Sequence, residues 1–150
     1  MHREVRIVPY PAALMYGVVS DVEKYPQFLP WVLGLRVKSR SGDTVLAEMM
    51  VGYKGFREKY TSRIVLDPAH LTVEVSQAEG PFRKLDNRWR FVPLTPKDGG
   101  PQACEVHFSI DFEFRNRLLG AVAGAAFEKA LLRMTEAFEA RAAALSGAAA

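Results

Sequence analysis

Four polar side chains stand where alternation calls for apolar ones: Glu58, Ser62, Gln77 and Asn87. Each shares the parity of the aliphatic and aromatic residues in its segment, so each is predicted to point inward. A buried polar group must find a partner or destabilise the fold by about 1–3 kcal/mol. The four can bond to one another, to backbone at bulges, or to water near strand ends. They can also line a cavity and meet the polar head of an otherwise apolar ligand. Aromatic residues share the same parity, among them Tyr53, Tyr60, Trp89, Phe91, Phe108 and Phe112. Such rings suit a flat ligand, and they equally suit an aromatic-rich core.

Other chemistry is sparse. His2, His70 and His107 are scattered, and no pair of them lies at metal-ligand spacing with Cys104 or a carboxylate. No glycine-rich phosphate loop follows a strand. The expectation is therefore no catalytic set, no metal and no cofactor. Cys104 alternates with polar neighbours and reads as a small buried apolar residue; as the single cysteine it excludes an internal disulfide and fits a reducing cytosol. On the opposite parity Arg57, Lys59 and Arg63 share one outer face, and Arg88 and Arg90 another. That pattern is either a solvated face or one that meets anionic lipid or ribosomal RNA. Phe28, Leu29 and Trp31 lie on a proline-bracketed segment, as a cavity mouth and membrane-touching tip or as a cap on one end of the core.

These side chains need elements to hold them. Arg3 to Val8 alternates, with Val5 and Ile7 on one face, and reads as a strand. Pro11 suits the first turn of a short helix to about Ser20. Asp21 is placed as N-cap of a second helical turn that Pro26 must end, leaving residues 25–31 as a stiff irregular loop. Six further strands follow: Leu33 to Ser39, Val45 to Tyr53, Phe56 to Leu66, Leu71 to Ala78, Phe82 to Val92 and Cys104 to Phe114. Turn signals separate them, Ser41-Gly42-Asp43 being the clearest, and the short connections favour an antiparallel meander.

The period then changes. Leu118, Val122, Ala126, Ala130, Met134 and Phe138 recur every four residues, with Leu119, Phe127 and Leu131 beside them. A helix of roughly 28 residues from Arg117 to Leu145 is predicted, capped by Asn116. At 1.5 Å per residue it reaches about 40 Å, enough to cross the sheet. Phe127, Leu131 and Met134 are the helix positions expected against a ligand.

Composition sets the bounds. The chain has 150 residues, 49% of them hydrophobic and 25% charged, as in an ordinary globular domain. Residues 1–145 are expected to form one domain, with a fraying tail at 146–150. No apolar run approaches the ~20 residues of a membrane span. Charged residues after Met1 occupy the place of a signal peptide's apolar core. The net charge of +3 is well below that of a dedicated nucleic-acid binder.

Two stretches carry a resemblance: Tyr25-Pro26-Gln27-Phe28-Leu29-Pro30-Trp31, and Gly80 to Phe91, which includes Asp86-Asn87-Arg88-Trp89. With them the whole chain, including Gly55 to Ser62 and the terminal helix, resembles the coenzyme Q-binding protein family. That family belongs to the START-like, helix-grip superfamily of polyketide cyclases and lipid transporters, which also includes the ribosome association toxin. The resemblance implies an α+β helix-grip fold, a seven-stranded curved antiparallel sheet around a long C-terminal helix with two short helices after the first strand. It implies non-enzymatic binding of ubiquinone or a related prenyl lipid in an apolar tunnel, supporting respiratory electron transport as carrier or chaperone. Cytoplasmic residence at the periphery of the inner membrane follows, as do respiratory or quinone-synthesis complexes as partners. The alternatives it leaves are a translation regulator on the large ribosomal subunit and a cyclase-type enzyme using an acid or base such as Glu58. Val32 follows Trp31 where relatives often carry a cysteine.

Overall fold

Short, turn-rich connections leave consecutive strands little choice but to pair antiparallel. The computed structural model describes residues 1–53, 56–96 and 102–149, without the side chains of residues 53, 56, 119, 122, 123, 126 and 147–149. Its elements are β1 (His2–Val8), α1 (Ala12–Ser20), a 3-10 turn (Val22–Lys24), α2 (Tyr25–Phe28), β2 (Val32–Ser41), β3 (Thr44–Tyr53), β4 (Phe56–Asp67), β5 (Thr72–Glu79), β6 (Phe82–Leu94), β7 (Ala103–Phe114) and α3 (Arg117–Ala149). The strands form one seven-stranded sheet in the order β1-β7-β6-β5-β4-β3-β2. The first and last strands thus meet, while β2 lies at the opposite edge, so the β1–β2 connection through α1 and α2 crosses over the sheet. Gly42, at φ 59, makes the tight β2–β3 turn. Asn116 caps α3 as expected, accepting a 2.8 Å hydrogen bond from the Leu118 N–H.

Alternation carries the core. Val45, Ala47, Met49, Ile64, Val73, Leu85, Trp89, Phe91 and the run Cys104, Val106, Phe108, Ile110 are all buried on the face that α1 and α3 cover. The Val122 and Ala126 positions of the helix stripe lie outside the described side chains, while Ala130 and Phe138 are buried.

Several expectations need correction. Pro26 does not end a helical turn; it sits in the first turn of α2, where its missing N–H would have no intrahelical partner anyway. The segment expected as loop is therefore helical from Tyr25 to Phe28. Asp21 does stand at the N-cap of the 3-10 turn, but through its carbonyl, which accepts from the Lys24 N–H at 3.1 Å. Its side chain accepts no cap bond, and its N–H closes α1 on the Gly17 carbonyl. Leu118, placed on the apolar stripe, is 72% exposed: it lies in the first turn of α3, before the stretch that packs on the core. In β1, Val5 and Ile7 face solvent at 60% and 68% exposure, so the inner parity carries Glu4, Arg6 and Val8. The reason is tertiary. Glu4 accepts a 3.0 Å hydrogen bond from the Thr135 hydroxyl of α3, and Arg6 lies 3.5 Å from Glu139. The helix also runs past Leu145 to Ala149, through the tail expected to fray.

Candidate ligand cavity

The inner face of the sheet and α3 meet at two aromatic clusters. Phe138 packs edge-on against Tyr25, Phe28 and Trp89 with centroids 5.2, 5.3 and 5.0 Å away. Three helical turns earlier, Phe127 lies 4.6 Å from Phe112, 5.2 Å from Phe82 and 5.8 Å from Phe114. Eleven residues of helix separate the two phenylalanines by about 16 Å. Between them α3 offers the smaller or more pliable Ala130, Leu131 and Met134, and there a cavity of about 100 Å³ remains. Its sheet side is formed by Met49, Tyr60, Ser62, Ile64, Val75, Leu85, Asn87, Trp89 and Ile110. Leu29, Trp31 and Val32 close it from the segment after α2. Its described lining carries no charged side chain.

Each inward polar residue has a distinct fate. The Gln77 amide donates to the Phe82 carbonyl at 2.7 Å and accepts from the Phe82 N–H at 2.9 Å, clamping the β5–β6 hairpin. The Asn87 amide donates to the Ser109 carbonyl at 2.9 Å and accepts from the Trp89 indole N–H at 3.2 Å. It lines the cavity but is engaged by its neighbours. Glu58 is half-buried opposite Val51 and lies off the described lining. Ser62 is fully buried, and its hydroxyl has no hydrogen-bond partner among the described residues.

Two phenols complete the polar inventory. Tyr25 donates to the Val19 carbonyl, and burial drives its pKa far above the usual value. Tyr60 reaches the Met49 sulfur at 3.5 Å, a weak acceptor. Burial raises the Tyr60 pKa, and the neighbouring Ser62 hydroxyl offsets part of that rise. Gly80 presses on Tyr60 from behind. A Cβ at this position, where φ is 153°, would come within 2.5 Å of the Tyr60 Cβ and 2.6 Å of the Gln77 oxygen.

Of the residues expected at a ligand, Trp31, Tyr60, Ser62, Asn87, Trp89, Phe127, Leu131 and Met134 converge on the cavity. Phe91 and Phe108 are buried behind Trp89, at 6.1 and 4.6 Å, and Phe112 supports Phe127 from outside the lining. Phe28 sits beyond Phe138, under the Arg141 guanidinium 5.3 Å from its ring centre. The Tyr53 side chain lies outside the described residues. Leu29, expected at a membrane-facing tip, is instead 2% exposed and lines the cavity; its N–H closes α2 on the Tyr25 carbonyl and turns the side chain inward. Arg57, Lys59 and Arg63 lie on the outer face of β4, Lys59 paired with Glu48 at 3.4 Å. Arg88 pairs with Asp86 at 3.4 Å, whereas Arg90 makes no ion pair among the described residues. Met49, Val75 and Ile110 were not singled out as lining, although each sits on the inner parity of its strand. Tyr25 was missed because its inward turn depends on α2.

Comparison with known proteins bears on this geometry. The family model for polyketide cyclase/dehydrase and lipid transport matches residues 8–139. The ribosome association toxin RatA of Escherichia coli K12 is 35% identical over 91% of this chain and 82% of its own length. The mitochondrial coenzyme Q-binding protein of Drosophila melanogaster is 36% identical over 88% of this chain and 54% of its own length. The solution structure of an 18 kDa protein from Caulobacter crescentus superposes with a TM-score of 0.71 at 37% identity, covering 98% of this chain and 99% of that one. A START-like fold, with a sheet gripping a terminal helix around an apolar cavity, and a family match over most of its length place the chain in the polyketide cyclase/dehydrase and lipid transport family.

Proposed function

We propose that the chain holds ubiquinone or a closely related prenyl lipid between α3 and the sheet and carries it without transforming it. In this reading it supports respiratory electron transfer as a carrier or chaperone at the periphery of the inner membrane. The observation that carries the proposal is the uncharged, aromatic-lined cavity of about 100 Å³. An engineered apolar cavity of ~150 Å³ accepts benzene, so this smaller cavity is the nucleus of a ring site that widens as side chains on α3 give way. The isoprenoid tail then runs on between α3 and the strands, displacing Leu131 or Met134. The coenzyme Q-binding relatives supply the ligand class. A cyclase-type reaction would use Glu58, which stands off the lining.

Both tryptophans of the chain, Trp31 and Trp89, line the cavity. Titration with decylubiquinone should therefore quench their emission saturably, at one quinone per chain. Mass spectrometry of an organic extract of the purified protein should find a prenylquinone. Folded protein that shows neither quenching nor an extractable prenyl lipid defeats the proposal.

A second reading, association with the ribosome, is favoured by the RatA relatives and by Arg63 and Arg90, which have no carboxylate partner among the described residues. It requires co-sedimentation with large subunits that weakens steeply with salt.

A further inference from the structure

We infer that Ser62, with Tyr60 beside it, is the anchor for the ligand's head, and that this head is an uncharged ring bearing a carbonyl or hydroxyl oxygen. The inference deepens the carrier proposal and rests on it. The physical problem is one of balance. A buried methylene is worth ~0.8 kcal/mol, but a bilayer offers the same gain, so the cavity must add something at the polar end. Among the inward polar groups, Gln77 and Asn87 have committed both ends of their amides within the protein, and Tyr25 has committed its phenol. The Ser62 hydroxyl has not, although it is fully buried on the lining.

Local geometry aims it there. The register of β4 against β5 shifts between Thr61 and Ser62, so that Thr61 faces Glu79 while Ser62 faces Gln77. The extra residue of this bulge, Ala78, lies in β5, so β4 keeps its alternation and Ser62 keeps the inner parity of Tyr60 and Ile64. Tyr60 stands two residues away on the same face, with the weak Met49 sulfur contact at 3.5 Å and the Ser62 hydroxyl as its polar neighbours. The two hydroxyls can each donate to one ligand oxygen. With no charged group on the described lining, a carboxylate or phosphate head would be buried without a counter-charge, which is prohibitively costly. A neutral oxygen avoids that cost.

The test uses the full chain, its Ser62→Ala and Tyr60→Phe variants, and two probes: decylubiquinone, read by tryptophan quenching, and decylbenzene, read by competition. Losing one hydrogen bond should weaken decylubiquinone binding about three- to tenfold in Ser62→Ala while decylbenzene stays within about twofold. Tyr60→Phe should act in the same direction. The infrared carbonyl band of bound quinone should lie at lower frequency in the parent protein than in Ser62→Ala. If both variants bind the two probes like the parent, or lose both probes equally, the anchor is wrong while the carrier proposal stands. If the parent binds neither probe, the carrier proposal falls and the anchor with it. Should Ser62→Ala fail to fold, Tyr60→Phe and the band position in the parent protein against free quinone decide the matter, an unshifted band overturning the anchor.

Discussion

The two halves of α3 solve different problems with the same kind of residue. Around Phe138 the helix is locked down. Tyr25, Phe28 and Trp89 surround the ring, α1 covers the flank, and Thr135 and Glu139 reach Glu4 and Arg6 of the first strand. Around Phe127 it is propped. That ring touches Phe82, Phe112 and Phe114 near strand ends, remains half-buried, and no comparable polar ties to β1 flank it among the described residues. A helix fixed at one end and propped at the other leaves space in the middle. Closure of the core and opening of the cavity are therefore one arrangement.

The largest test of that contrast is Phe138→Ala, expected to cost about 3–5 kcal/mol in denaturant unfolding because its neighbours cannot collapse into the space. A loss no greater than that of Phe127→Ala would erase the distinction between the halves.

Alkaline titration probes the locked half next. Burial pushes the Cys104 thiol from 9.0 to about 11. The folded state thus holds this proton more tightly than the unfolded chain. Its contribution is intact below pH 9 and disappears as pH climbs through 11. Unfolding free energy should fall by up to about 2–3 kcal/mol across that window from this group, and less in Cys104→Ala.

Phe127→Ala should cost about 1–2 kcal/mol, since the ring is half-buried, and should widen the cavity enough to raise affinity for bulkier quinones. The smallest effect on stability is expected from Ala130→Leu, within about 1 kcal/mol, because the added methylenes enter existing space. The same substitution should abolish decylubiquinone quenching. If quenching survives, the ligand does not sit between the clusters.

Much of this fold was legible along the chain. Strand alternation is a local property, and it placed the buried run from Cys104 to Ile110 and the pair Trp89 and Phe91 correctly. The change of period announced α3, and Asn116 its start. Parity failed at β1, where burial of Glu4 and Arg6 depends on Thr135 and Glu139, more than a hundred residues away. No periodicity was available at Leu29, whose direction is decided by one turn of helix holding a proline that was expected to end it.

From β3 to β7 the sequence by itself determined which strand faces turn inward, and therefore that polar groups would be buried among aromatic rings. Tertiary structure alone decided which of those groups is already satisfied. Asn87 is satisfied by a carbonyl on the neighbouring strand, whereas the Ser62 hydroxyl finds no partner among the described residues. Side-chain direction follows from backbone geometry a few residues long. Hydrogen-bond satisfaction depends on register between strands and on how far a helix stands from a sheet, and neither is written at any one position.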